Sequence, residues 1–133
     1  MGHLSGEARN QIKITTLEDS VPEKSMVRII DKFVEVVDLE KLGFKNTTPA
    51  ELGRSSYPPK ELSKLYLYGY DNGIRSSRKL ERETHRNVEL MWLLCELKPD
   101  HKTIANFRKN NAAAFKNLFY EFVRMMNEWG LIG

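Results

Sequence analysis

Apolar residues recur every three or four positions along most of this chain, which is the spacing of amphipathic α-helices. The pattern predicts a helix that Pro22 opens, a helix from Pro59 to about Asp71, and a long helix from about Asn111 to Trp129. Every strong apolar pattern in the chain has this helical period. We therefore predict an all-α domain of about five to six helices in a compact bundle, which spans residues 21–133.

The same spacing predicts which side of each long helix faces the core. The first helix offers Met26, Ile29, Ile30, Phe33, Val34 and Val37. The second offers Leu62, Leu65, Tyr66 and Gly69. The last carries the widest stripe, formed by Phe115, Leu118, Phe119, Phe122, Val123, Met126 and Trp129. A stripe of this width is typical of a core helix, and it also fits a homodimer surface.

Three shorter helical pieces are predicted between the long helices. The first is Ser76–Asn87, and the nearly all-apolar run Val88–Cys95 that follows is expected to be buried. Asp100, which follows a proline, is a good N-cap for the short helix His101–Lys109. A short helix, a tight turn and a short basic helix form the pattern of a helix-turn-helix, here around residues 76–110.

Positive charge is concentrated in residues 73–111. The whole chain has 21 Lys and Arg residues against 18 Asp and Glu residues, for a net charge of +3. This stretch alone holds nine basic and five acidic residues, so the remainder of the chain is slightly acidic. Five cations in it step by three and four positions, which stacks them on one helix face: Arg75, Arg78, Lys79, Arg82 and Arg86. A local basic face is expected of a surface that meets a polyanion.

Two blocks of the sequence carry a resemblance to a known family. They read GIRSSRKLER at residues 73–82 and KPDHKTIANFR at residues 98–108. In this order and at this spacing, they resemble the N-terminal domain of bacterial DDE insertion-sequence transposases. VPEK at 21–24 and YPP at 57–59 agree with it, and the resemblance runs from roughly Gln11 to the C-terminus. It implies a DNA-binding part of a transposase, which recognises the terminal inverted repeats of a mobile element in double-stranded DNA.

The resemblance implies a role for each of the two basic pieces. Phosphate contacts would supply most of the affinity, and the helix His101–Lys109 would read base edges. Asn106 suits adenine and Arg108 suits guanine, although Arg108 suits an ion pair with Glu96 or a cap on a backbone carbonyl equally well. His101, at the helix start, fits a structural role as well as a DNA contact. The candidate DNA-binding residues are Arg75, Arg78, Lys79, Arg82, Arg86, Lys98, His101, Lys102, Asn106, Arg108 and Lys109.

Other interpretations fit the same residues. The basic face also fits a solvated surface with local ion pairs, such as Lys79–Glu83 and Arg78–Glu81, each worth only a few tenths of a kcal/mol. An assembly module would use the Phe115–Trp129 stripe and the tyrosine-rich helix that begins at Pro59 to pair protomers, and a transcription regulator could use the same helix-turn-helix. The aromatic residues Tyr57, Tyr66, Tyr68 and Tyr70 either stack on exposed bases or pack in the protein, and packing is preferred at least for Tyr66.

Catalytic motifs have little support in this sequence. There is no CxxC pair, no HExxH and no glycine-rich phosphate loop, and His3, His85 and His101 are isolated in sequence. Asp71 and Asp100 are better explained as a turn residue and an N-cap. In the family that the chain resembles, the RNase H-like catalytic domain follows a segment like WGLIG at 129–133. We therefore expect a non-catalytic part of a transposase, with no cofactor and no small-molecule substrate, and with Mg²⁺ needed only by the catalytic domain.

The remaining segments are predicted from composition. Residues 1–20 are expected to form an N-terminal arm, of which Met1–Gly6 fits a cloning remnant. Lys45–Pro59 is predicted to be the longest loop. Cys95 is expected to be a small buried hydrophobe. No apolar run approaches the roughly 20 residues of a membrane span, and the composition fits a cytoplasmic protein without a membrane partner.

Overall fold

The computed structural model describes residues 2–45 and 57–131. Within these ranges the chain forms eight α-helices and no β-strand, so the all-α prediction is confirmed. The helices are α1 (Leu17–Ser20), α2 (Met26–Val36), α3 (Leu39–Leu42), α4 (Pro59–Asn72), α5 (Ser77–Arg86), α6 (Val88–Leu93), α7 (His101–Asn110) and α8 (Ala112–Glu128). The count exceeds the predicted five to six because the four-residue turns α1 and α3 are also helical. Most of the predicted loop Lys45–Pro59, residues 46–56, lies outside the described residues.

The helix α2 begins at Met26 and not at Pro22, so its predicted start is wrong. Ser25 is the N-cap, and its hydroxyl accepts a hydrogen bond from the Val27 N–H at 3.4 Å. A serine at this position satisfies a backbone N–H that has no partner inside the helix. The residues that α2 buries are Val27, Ile30, Phe33 and Val34. Of these, Val27 was not predicted to face the core.

The helix α4 lies at the centre of the fold. Each residue from Leu62 to Gly69 is buried, which includes the whole predicted core face. The opposite side is buried as well, because α2 and α6 both pack against α4. A helix that is covered all round belongs to the interior of a protein. Its polar side chains therefore need partners inside the protein.

Lys64 meets this need through two carboxylates of α2. Its Nζ lies 2.8 Å from Asp31 Oδ1 and 2.9 Å from Glu35 Oε1. Burial alone would lower the pKa of Lys64, but the hydrogen bonds to the two carboxylates outweigh burial and raise its pKa above the ordinary lysine value. The same contact, together with one from Lys60, lowers the pKa of Glu35. The pair of acids therefore holds α2 on α4 through a charged lysine.

A glycine lets the start of α5 fold back onto α4. A Cβ added at Gly69 would lie 2.6 Å from the carbonyl oxygen of Ile74 and 3.1 Å from Leu80 Cδ2. The Ile74 N–H donates to the Gly69 carbonyl at 2.7 Å, so the approach is fixed by a hydrogen bond. Gly73 makes the turn at the end of α4 with φ of 70°, as its position in the sequence predicts.

The stripe of α8 is mostly core. The ring of Phe115 lies 5.1 Å from that of Phe44 and 4.7 Å from that of Tyr66, measured between centroids. Further along, Phe122 meets Phe33 of α2 at 5.3 Å. Trp129 is the exception in the stripe, because 49% of its surface remains exposed. These contacts account for the burial of most of the stripe, so no second protomer is needed to cover it.

The predicted burial of Cys95 is wrong. The helix α6 ends at Leu93, and Cys95 and Glu96 take φ of 50° and 66°, in the left-handed region. This turn carries the chain away from the core, so the cysteine is exposed although Leu93 and Leu94 are buried. Non-glycine residues adopt this conformation rarely, so a pattern of apolar residues cannot predict it.

Part of the predicted N-terminal arm is packed on the body of the protein. Glu18 in α1 accepts a hydrogen bond from Trp92 Nε1 at 2.7 Å and pairs with Arg28. The Arg28 guanidinium lies 4.8 Å from the centre of the Trp92 ring, so the three side chains join α1, α2 and α6. In the part of the chain that the structure describes, no helix has both the length and the apolar character of a membrane span.

We expect Gly69→Ala to destabilise the protein by about 1–3 kcal/mol, the usual cost of forcing atoms into a packed interior. The sign is informative, because alanine in a helix is otherwise the better residue by roughly 1 kcal/mol. Urea unfolding followed by circular dichroism measures the change. Gly6→Ala, where an added Cβ has no neighbour within 4 Å, is the matched control. A variant as stable as the wild type would mean that α4 and α5 do not approach this closely.

Candidate nucleic-acid interface

The basic stretch folds into a pair of helices, α5 and α7, that pack side by side. Each turns one side inward, where Leu80 and Thr84 of α5 and Ile104 of α7 are buried. Ser77 at the start of α5 lies beside the last turn of α7, and Glu81 reaches the first residue of α7. The two helices therefore run antiparallel, with their outer sides next to each other.

Two acids hold the N-terminus of α7. Asp100 Oδ1 accepts a hydrogen bond from the Thr103 N–H at 2.7 Å, as its predicted N-cap role requires. Glu81 Oε1 accepts another from the His101 N–H at 2.6 Å and lies 2.9 Å from His101 Nδ1. Carboxylates are favoured at this end of a helix because the helix dipole is positive there. The hydrogen bonds with His101 lower the pKa of Glu81, and that with the Thr103 N–H lowers the pKa of Asp100.

The middle and the end of α7 are held from the core. The Tyr66 hydroxyl donates to the Ile104 carbonyl at 2.6 Å, and burial raises the pKa of Tyr66 to about 12. Asn111, which is buried, donates to the Phe107 carbonyl at 3.0 Å and accepts from the Lys45 N–H at 2.9 Å. Buried polar groups with both partners in place specify one arrangement of the chain. The orientation of α7 is therefore fixed at three points along its length.

Cations of the two helices meet in two shallow depressions between them. The first is lined by Arg78, Glu81, Arg82, His85 and His101. The second brings the residue before α5, Arg75, to Ala105, Arg108 and Lys109 of α7, over Tyr66. Six of the predicted DNA-binding residues thus line these two depressions along the α5–α7 pair, which together we call the basic groove.

The other five predicted residues lie outside the basic groove. Lys79 and Arg86 are exposed on α5, and Lys102 and Asn106 are exposed on α7. Lys98 precedes α7 and is also exposed, with its Nζ 3.4 Å from the Glu96 carbonyl. All but one of the eleven residues are exposed; His101 is half-buried by its contact with Glu81.

The ion pairs weighed as alternatives at the sequence level are not formed. Glu83 pairs with Arg86 at 2.7 Å and raises its pKa, so it is not the partner of Lys79. Glu81 is taken by His101 and not by Arg78. Arg108 does not pair with Glu96; its guanidinium lies 5.9 Å from the centre of the Tyr66 ring. Among residues 2–45 and 57–131, no carboxylate lies within 4.0 Å of the cations Arg75, Arg78, Lys79, Arg82, Lys102, Arg108 and Lys109.

The three predicted helical pieces are present, but the helix-turn-helix is not confirmed. The connection between α6 and α7 is residues 94–100, which is longer than the three or four residues of the turn in that motif. The helix α7 packs mainly against α5 and α8, whereas α6 packs against α1, α2, α4 and α5. The tight turn was expected because α6 was predicted to continue to Cys95, two residues beyond its observed end.

Sequence reasoning missed that two histidines come together. His85 and His101 are sixteen positions apart in sequence, yet both line the first depression. They lie in the same depression only because α5 and α7 pack antiparallel, and a sequence pattern within either helix does not show this packing. Within the described ranges no group of three or more His, Cys, Asp or Glu residues is placed to hold a metal ion.

The pH dependence of stability tests the anchor at the start of α7. The folded-state pKa of Glu81 lies below the ordinary value of 4.5, so its contribution is present above that value and is lost as the pH falls through the folded pKa. We therefore expect Glu81→Gln to lower the urea midpoint at pH 7, and the difference from wild type to shrink at pH 3. Glu40→Gln on α3 is the control. Equal losses at both pH values would mean that the charge of Glu81 does not stabilise α7.

A protein-family model covers the chain from just before α1 to the end of α7. The family model described as Transposase domain (DUF772) matches residues 15–110, which is well over half of the 133 residues and ends where α7 ends. No curated protein gave a match, and neither did any solved structure. The chain therefore belongs to the DUF772 transposase domain family.

Proposed function

We propose that this chain is the N-terminal DNA-binding domain of a DDE insertion-sequence transposase and binds the terminal inverted repeats of its element. Membership of the transposase domain family supports the first part of the proposal. The observation that carries DNA binding is the set of seven cations on and beside α5 and α7 without a carboxylate within 4.0 Å among the described residues. Duplex DNA carries one charge per roughly 1.7 Å, and cations without protein partners can replace its counterions.

The two helices suit different parts of the duplex. The outer side of α5 presents Arg78, Arg82 and Lys79, whose long cationic side chains suit phosphates. The exposed side of α7 combines a small residue, Ala105, with the amide of Asn106, which suits close approach to base edges in the major groove. In this proposal α7 acts as the recognition helix. The helices α5, α6 and α7 do the work of a helix-turn-helix, but the connection before α7 is longer than in that motif.

Rigid support of α7 favours this division of roles. A helix that reads bases must hold its side chains within a fraction of an ångström of the productive position. The backbone of α7 is held at its middle and end by hydrogen bonds that Tyr66 and Asn111 donate, and at its start by one that Glu81 accepts. The basic groove can therefore be presented to DNA without first ordering the helix.

A role in assembly is supported by a smaller part of the molecule. Most of the Phe115–Trp129 stripe is buried within the chain, but Trp129 and Leu131 stay exposed at the end of α8. A homodimer would use this end, because Phe115, Leu118 and Phe122 already have partners in the core. We place DNA binding first because it accounts for more of the exposed residues.

The proposal assigns binding and no catalysis to this chain. Two-metal phosphoryl transfer needs carboxylates that converge on cations about 3.5–4 Å apart. Asp71, just before the basic stretch, lies on α4, and Asp100, within the stretch, already caps α7. Incubation of the pure protein with duplex DNA and Mg²⁺ or Mn²⁺ is expected to leave both strands intact on a denaturing gel. Cleavage that disappears in Asp71→Ala or Asp100→Ala would contradict the assignment.

Substitutions in the two helices should change binding in different ways. Arg78→Ala and Arg82→Ala should weaken binding to all duplexes alike, and each should lower the salt slope by about 0.9 because one phosphate fewer is neutralised. Asn106→Ala should instead cost about 1–3 kcal/mol on a preferred sequence and much less on random DNA. Titrations at several salt concentrations, against a duplex selected from a random pool and a scrambled one, measure both effects.

Lys32→Ala on α2 provides the matched control, because it removes an exposed lysine away from α5 and α7. Its salt slope and its specificity should equal those of the wild type. If Asn106→Ala leaves the ratio of specific to non-specific affinity unchanged, α7 is not the recognition helix. If the arginine variants and the Lys32 control behave alike, the basic groove is a solvated surface and DNA is bound elsewhere.

A further inference from the structure

A third depression continues from the basic groove towards the end of α4. It has a volume of about 310 Å³ and lies between the C-terminal turn of α4, the residues just before α5, the last turn of α7 and the middle of α8. Its walls combine three aromatic residues, Tyr66, Tyr70 and Phe119, with two cations, Arg75 and Arg108. We propose that this depression takes the base of one unpaired nucleotide of the bound DNA. The inference rests on the proposed function, since the DNA must first lie along the basic groove.

The aromatic wall has the form of a stacking platform. The rings of Tyr70 and Phe119 are stacked, with centroids 4.9 Å apart and planes inclined by 20°. Phe119 in turn meets Phe115, whose centroid is 5.9 Å away in the buried core. Tyr70 is nevertheless 53% exposed. The ring is thus supported by Phe119 while more than half of the residue is open to solvent, which leaves room for a base to stack.

The cations connect the depression to the basic groove. Arg75 and Arg108 line both this depression and the one that contains Ala105 and Lys109. A DNA strand whose phosphates contact these arginines would therefore pass the mouth of the depression. One nucleotide could then leave the duplex and place its base on Tyr70 while its phosphate stays with the arginines.

The chemistry of the depression favours a base over a bare anion. The C-terminus of α4 ends there at Gly73, and the C-terminal end of a helix is partially negative. That end opposes an anion deep in the depression, whereas an uncharged base meets no such repulsion. The volume lies at the low end of the roughly 300–1,000 Å³ of small-molecule sites, which suits one nucleotide and not a longer segment.

The energetics then select the form of DNA. Moving a paired base out of a duplex costs a few kcal/mol, and the cost is least for a base that is already unpaired. Stacking of the base on Tyr70 stabilises the complex only by the amount that exceeds this cost. The site should therefore favour DNA with an extrahelical base, or with a single-stranded end, over a fully paired duplex of the same sequence.

The test uses the whole chain and a set of duplexes that carry one extrahelical 2-aminopurine at successive positions. Wild type should bind at least one of them more tightly than the fully paired duplex, on the order of 5- to 150-fold, the size of one base–aromatic stack. Binding should also quench the 2-aminopurine fluorescence. Tyr70→Leu should abolish both the preference and the quenching, while its affinity for the paired duplex stays unchanged. Tyr120→Leu is the control, because it removes an exposed tyrosine that lies on α8 and not in the depression, and it should behave as wild type.

Each other outcome overturns the inference. The inference is wrong if wild type binds bulged and paired duplexes with equal affinity. It is also wrong if the Tyr70→Leu variant keeps the preference, because no unpaired base then binds at this site. Displacement of the fluorescent DNA by deoxyadenosine monophosphate at lower concentration than by the bulged duplex would make the depression a site for free nucleotides. Absence of binding to any DNA would end the proposed function, and this inference with it, whereas normal binding to paired DNA without the preference would end this inference alone.

Discussion

The middle of α4 is buried on all sides, and the partners of three of its polar side chains position the rest of the molecule. Lys64 reaches the acids of α2, the Tyr66 hydroxyl donates to the Ile104 carbonyl in α7, and the Tyr68 hydroxyl accepts from Asn87 at 2.6 Å. Asn87 lies between α5 and α6, where its Oδ1 also caps α6 by accepting from the Leu90 N–H at 3.1 Å. One central helix thus fixes α2, α7 and the junction of α5 with α6, and an unsatisfied group at any of these points would cost about 1–3 kcal/mol.

The basic groove depends on this arrangement because three acids of residues 73–111 have partners within α5 and α7. Glu81 is bound to the start of α7, Glu83 to Arg86, and Asp100 caps α7. Each carboxylate that serves the fold in this way is withdrawn from the neighbouring cations. As a result, the arginines and the lysine of the basic groove have no carboxylate within 4.0 Å among the described residues, although the stretch as a whole contains five acids.

Much of this could be predicted from the sequence, because periodic apolar residues and N-caps are local signals. The helices α4, α5, α7 and α8 were predicted within one or two residues, and Asp100 was predicted as a cap. The contacts between distant segments could not be predicted in this way. The burial of Lys64 depends on two acids about thirty positions earlier, and the exposure of Cys95 depends on a left-handed turn. The meeting of Arg75 with Arg108 likewise follows only from the packing of α5 on α7.

The central claim is that DNA lies along α5 and α7. An NMR titration of the ¹⁵N-labelled protein with a duplex locates the contact directly, because arginine Nε–H and backbone amide signals report on each residue separately. We expect the largest shifts on Arg75, Arg78, Arg82 and Arg108 and on the amides of residues 101–110. Shifts concentrated on the end of α8 around Trp129, with α5 and α7 unchanged, would contradict it.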